Sequence, residues 1–174
     1  MPVPNLTLVG ATRGLLWLIL RLIVASALLV VGVAIALLVA WPEVMEGFRG
    51  SPEFIDVATL RFPVGVLMLL LFAILAAAAY IIRQFQALVA SAARDPFIPA
   101  NAGRLRRIGW ALVVTQLLAI PLQWTAGNIA KAGSAFADMG GISLGNLLAI
   151  LLAFVLAAVF EQGTAMRDEL EGTV

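Results

Sequence analysis

Between Arg21 and Glu43 the chain reads LIVASALLVVGVAIALLVAWP, residues 22–42 without one charge. At about 1.5 Å per helical residue these roughly 21 positions reach about 32 Å, enough to cross a hydrocarbon core of roughly 30 Å. The pattern repeats three more times. Uncharged intervals lie between Arg61 and Arg83, Arg107 and Lys131, and Asp138 and Glu161. Each holds about 21–23 residues, again the length of one crossing. The spacing therefore predicts an all-α integral membrane protein. Its four-transmembrane-helix bundle should occupy one domain, 1–174, with spans at about 15–41, 62–90, 104–128 and 142–163.

Composition agrees. Hydrophobic residues make up 63% and charged residues 12%, whereas soluble domains have nearly half and a quarter. A single water-soluble core cannot hide that surplus, so lipid must solvate it. The first span is too long for a signal h-region and is expected to be retained. The chain has no cysteine and no histidine. Disulfides, the usual zinc, iron–sulfur and haem ligation, a Ser-His-Asp triad and a cysteine nucleophile are thereby excluded. No catalytic, cofactor or metal site is expected, and the chain reads as not an enzyme.

Orientation follows from arginine placement. Arg83, Arg94, Arg104, Arg106 and Arg107 crowd the middle connection, with Arg13 and Arg21 before the first span and Arg167 after the last. The other connections hold Arg49, Arg61 and Lys131. The positive-inside rule places the richer side, and with it both termini, in the cytoplasm. Trp17, Trp41, Trp110 and Trp124 suit interfacial anchors or packing. Pro42, Gly47, Gly50 and Pro52 are expected to break any long helix in the outer loop.

Helices two and four should continue into the cytoplasm as helical extensions, Gln84 to Ala92 and Glu161 onward. Asp95-Pro96 ends the former, since proline disfavours helix in the residue before it. Asn101 suits the N-cap of helix three. Arg104, Arg106 and Arg107 then oppose the dipole of its first turns, so their benefit must come from headgroups or acidic partners. A Glu161–arginine bridge would tie helix four to helix three. Met166, Leu170 and Val174 recur every fourth position and suggest an apolar face on the tail.

Within the bilayer, Gly141, Gly145, Ala149, Ala153 and Ala157 form a small-residue ridge suited to close helix packing, within the bundle or between subunits. Gln116, Gln123 and Pro121 fall in helix three. They read as interhelical hydrogen bonding ahead of a pore lining, because no ionisable group lies deep in any span.

Two stretches carry a family resemblance. One runs Asp95-Pro96-Phe97-Ile98-Pro99-Ala100-Asn101-Ala102-Gly103-Arg104-Leu105-Arg106-Arg107-Ile108-Gly109-Trp110. The other begins Phe160-Glu161-Gln162-Gly163 and ends Gly172-Thr173-Val174. With four spans they resemble the YoaS-like bacterial membrane proteins of unknown function, domain-of-unknown-function family 2975, from about residue 15 onward. The resemblance implies a bacterial inner-membrane location. It also implies partnership with a small helix-turn-helix regulator, and no catalytic residues. The expectation is a regulatory or scaffold protein whose cytoplasmic interaction surface comprises Asp95, Phe97, Asn101, Arg104, Arg106, Arg107, Glu161 and Arg167. Lipid is its sure partner. A cytoplasmic protein, a membrane complex or a homo-oligomer would be a further one, and direct nucleic-acid binding is not expected. An accessory subunit of a larger complex, then a small channel or transporter, are the alternatives.

Overall fold

The computed structural model describes residues 6–48, 57–92, 95, 97–130 and 143–171. They form four helices, α1 (Leu6–Phe48), α2 (Val57–Ala92), α3 (Pro99–Ala130) and α4 (Leu144–Glu171). All four are long and apolar enough to cross a membrane, which defines a multi-pass membrane protein.

The helices outrun the spans read from charge spacing. They contain 43, 36, 32 and 28 residues, or about 65, 54, 48 and 42 Å. A roughly 30 Å core cannot cover them. If the charge-free intervals occupy that core, most of the excess falls at one end. It comprises 6–20 of α1, 84–92 of α2, 99–106 of α3 and 162–171 of α4, all on the arginine-rich side. Pro42 does not stop α1 as expected. The helix continues through it to Phe48. Proline there removes one ladder bond, to the Leu38 carbonyl, close to the helix end where few bonds remain to be lost.

Neighbours in sequence are neighbours in space, and among the described residues only those pack: α1 on α2, α2 on α3, α3 on α4. The bundle is therefore an open row, with α1 and α4 as its edges. The central helix α3 carries most of the buried residues. On one side Leu122, Ala126 and Ile129 meet Leu67 of α2, flanked by Val64, Leu70, Leu71 and Ile74. Towards the arginine-rich end Ala102, Leu105 and Ile108 of α3 and Ala153 and Ala157 of α4 are buried. The α1 window contains no buried residue, and Leu28, Leu29 and Val39 face outward.

Several polar groups inside the spans are bonded within the protein, as a lipid solvent requires, although the buried Gln116 Nε2 has no hydrogen-bond partner among the described residues. The hydroxyls of Ser26 and Thr115 donate to the carbonyls of Leu22 and Leu112. Asn146 Nδ2 of α4 donates to Gln116 Oε1 of α3 at 2.6 Å. Gln123, by contrast, is exposed. The ridge also divides. Ala153 and Ala157 are buried, whereas Gly145 and Ala149 are exposed, and Gly141 lies outside the described residues. A fourth-position row drifts about 40° per step around a helix of 3.6 residues per turn. One end of it can face α3 while the other turns away.

Candidate functional site: a clasp at the arginine-rich end

The α2–α3 connection is held by its own first residues. Asp95 N–H donates to the Ser91 carbonyl at 3.0 Å, prolonging the end of α2. Asp95 Oδ1 then accepts from the Phe97 N–H at 3.0 Å, an Asx-type turn. Helix α3 starts at Pro99, where a missing N–H costs no helical bond. Asn101 is accordingly not the N-cap. It lies inside the first turn, its N–H donating to the Ile98 carbonyl at 2.9 Å.

Freed from capping, the Asn101 side chain does something the sequence did not suggest. It is fully buried, at 0% exposure. Its Oδ1 accepts from Arg104 Nη1 at 2.8 Å and from Ser91 Oγ at 2.6 Å. Arg104 Nη1 also donates to Ser91 Oγ at 2.8 Å. The single Ser91 proton can go to Asn101 or back to the Ala87 and Leu88 carbonyls. This triangle ties the end of α2 to the start of α3 through charge-assisted bonds.

From the same turn the connection reaches across to α4. The Phe97 ring packs on Phe160, centroids 5.6 Å apart, and one edge of it lies so close to Gly163 that a Cβ there would fall 2.8 Å from the ring. Asp95 Oδ2 accepts from Arg167 Nη1. On α3, Arg106 Nη2 donates to Glu161 Oε2 at 2.7 Å. Both side chains are more than half exposed, so this bridge contributes at most about 1 kcal/mol. Its value is register. Gln116–Asn146, Gly109–Phe154, Arg106–Glu161 and Asp95–Arg167 step in opposite directions along the two segments, which fixes an antiparallel hairpin. Trp110 closes the same seam edge-on against Phe154, centroids 5.7 Å apart.

Of the eight residues expected at this surface, seven are bound into the clasp. Arg107 remains exposed on its rim. Gly163, Phe160 and Ser91 were not singled out as site residues, although Phe160 and Gly163 stand in the second resemblance stretch. Of the apolar face expected on the tail, Met166 does not dock, and the side chain of Leu170 lies outside the described residues. Phe160, Gly163 and Arg167 meet the connection, whereas Met166 is exposed. Val174 lies outside the described residues.

Two predictions arise here. Gly163→Leu should unseat Phe97. Because the chain has no cysteine, a single Ile98→Cys reports the connection cleanly. Its maleimide labelling should speed several-fold in Gly163→Leu. It should stay unchanged in Gly103→Leu, where an added Cβ meets nothing within 4 Å. Equal rates in all three proteins would mean the ring has no seat on α4.

The second concerns acid. The Arg167 guanidinium, helped by the Phe97 N–H, holds the Asp95 carboxyl below its ordinary range. A carboxylate depressed in the folded state stabilises above its unfolded pKa and loses that contribution as pH falls through the folded one. Wild type should therefore melt above Asp95→Asn at pH 7, with the gap closing below about pH 4. A gap independent of pH would contradict the pairing.

A helical membrane protein with a clasp between its central hairpin and its last helix is the class these features define. The family described as "Protein of unknown function (DUF2975)" matches residues 51–174, and the chain belongs to it. The match covers α2 to α4 and the whole clasp. It begins after α1, later than the resemblance noted from residue 15. No curated protein and no solved structure matches the chain.

Proposed function

We propose that the protein is a non-enzymatic regulatory or scaffold protein of a bacterial inner membrane, with both termini and the clasp in the cytoplasm. Arginine bias supports the orientation. The observation that carries the functional reading is the convergence of the Asp95–Phe97 turn, Arg104, Arg106 and the α4 tail in one ordered structure. Helices that only span a bilayer do not need it. The clasp leaves Arg107, Met166 and Glu169 exposed, a mixed surface that suits a cytoplasmic protein such as a helix-turn-helix regulator.

A photo-crosslinker at Ala165, exposed on the tail, tests this in native membranes. Capture of one defined cytoplasmic protein, lost when Arg106 and Arg107 are both changed to glutamine, is the expected result. Capture of lipid alone would contradict it.

A second reading has its own observation. Gly145 and Ala149 present a small-residue face outward at the edge of the row, which suits docking of α4 as an accessory subunit. The pairing of Gln116 with Asn146 and the outward position of Gln123 favour packing over a transport path.

A further inference from the structure

We propose that the cavity between α1, α2 and the α2–α3 connection binds a phosphate-bearing anion through Arg13 and Arg104. The cavity measures about 540 Å³ and is lined by these two arginines with Ser91, Asp95, Ala87 and Ala90. Its volume lies within the range of roughly 300–1,000 Å³ for small-ligand sites.

Two features make it a site for an anion. First, neither arginine has a carboxylate partner among the described residues. Asp95, the acidic group of the lining, is engaged by Arg167. Two like charges facing one space repel, and a bound anion removes that repulsion. Second, Arg104 is pre-positioned. Nη1 is bound to Ser91 Oγ and to the fully buried Asn101 Oδ1, each at 2.8 Å. A guanidinium has five N–H donors in a fixed fork. Those on Nε and Nη2 are left for a ligand and match two phosphate oxygens.

Position narrows the source. The cavity sits where the helices outrun the hydrocarbon core. On α1, Trp17 follows Arg13 by about one turn, and the Arg21 guanidinium lies 3.5 Å from its ring centroid, a pairing suited to the interface. An anionic phospholipid headgroup is within reach there, and so is a soluble phosphate from the aqueous side. Both offer the same oxygens. The site is independent of the protein-docking reading, because a chain that captured no partner would still bind the anion.

Native mass spectrometry of the purified full chain, exchanged into micelles with equimolar phosphatidylglycerol and phosphatidylcholine, tests the assignment. Phosphatidylglycerol should be retained preferentially, and Arg13→Gln and Arg104→Gln should each weaken retention about tenfold. Arg107→Gln, outside the cavity, should not. Arg13 is exposed and holds no ion pair among the described residues, so its variant reads binding with little effect on the fold. If the lipids are retained equally, phosphate-dependent thermal stabilisation that both variants lose would assign the site to a soluble phosphate. The proposal is overturned if Arg13→Gln behaves as wild type towards both ligands, or if Arg107→Gln loses as much as the cavity variants.

Discussion

Ala157→Leu should destabilise the protein by about 1–3 kcal/mol, the usual cost of forcing extra methylenes into a filled interface. Ala157 is 2% exposed and lies on the part of the fourth-position ridge that faces α3. In lipid, apolar burial gives helices little drive to associate, so close approach of small residues carries much of the packing energy. A leucine there must separate α3 from α4, and with them the Arg106–Glu161 and Asp95–Arg167 pairs. Ala149→Leu, two turns away on the exposed part of the same ridge, should change stability by no more than about 0.5 kcal/mol. Thermal unfolding of the two variants in one detergent makes the comparison. Equal losses would mean that the ridge does not divide as described. If Ala149→Leu keeps its stability but releases the chain from a larger complex, the accessory-subunit reading gains its support.

Asn101→Leu should be comparably damaging, at about 2–3 kcal/mol, for an electrostatic reason. The leucine removes the oxygen that accepts from both Arg104 and Ser91, and a part-buried guanidinium is left with the Ser91 hydroxyl alone. Removing one partner of a buried polar pair costs more than removing both. Arg104→Leu added to Asn101→Leu should therefore recover part of the loss, a coupling that a double-mutant cycle measures directly. Strict additivity would mean that Asn101 acts by filling space. Because Arg104 also faces the anion cavity, its binding defect and its contribution to stability are separate readouts.

Charge spacing makes the four crossings legible because each intrahelical charge is expensive in lipid. The same economy hides the faces. Helices that are apolar all round offer no periodic contrast, so which side of α1 or α4 meets a neighbour has no signature in the sequence. Hence the ridge reads as one surface, although among its described residues only Ala153 and Ala157 are buried. The clasp was readable where residue types were out of place: arginines opposing a helix dipole at 104, 106 and 107, and an Asp-Pro-Phe turn among apolar helices. Two of those arginines resolve their conflict through partners on α2, α3 and α4. Asn101 misled because an asparagine just after a proline-rich turn suits a cap. Pro99 already begins the helix, leaving the side chain free to turn inward. Gly163 gave no local signal, since its role depends on a ring 66 positions away in the chain.

Impermeant maleimide labelling of single cysteines in intact cells shows on which side of the membrane the clasp lies. Ala100→Cys and Ala165→Cys mark the clasp end and Glu46→Cys the opposite end, all at exposed positions. Labelling of position 46 in intact cells, with 100 and 165 reacting only after permeabilisation, is the predicted result. Labelling of 100 or 165 in intact cells would contradict it.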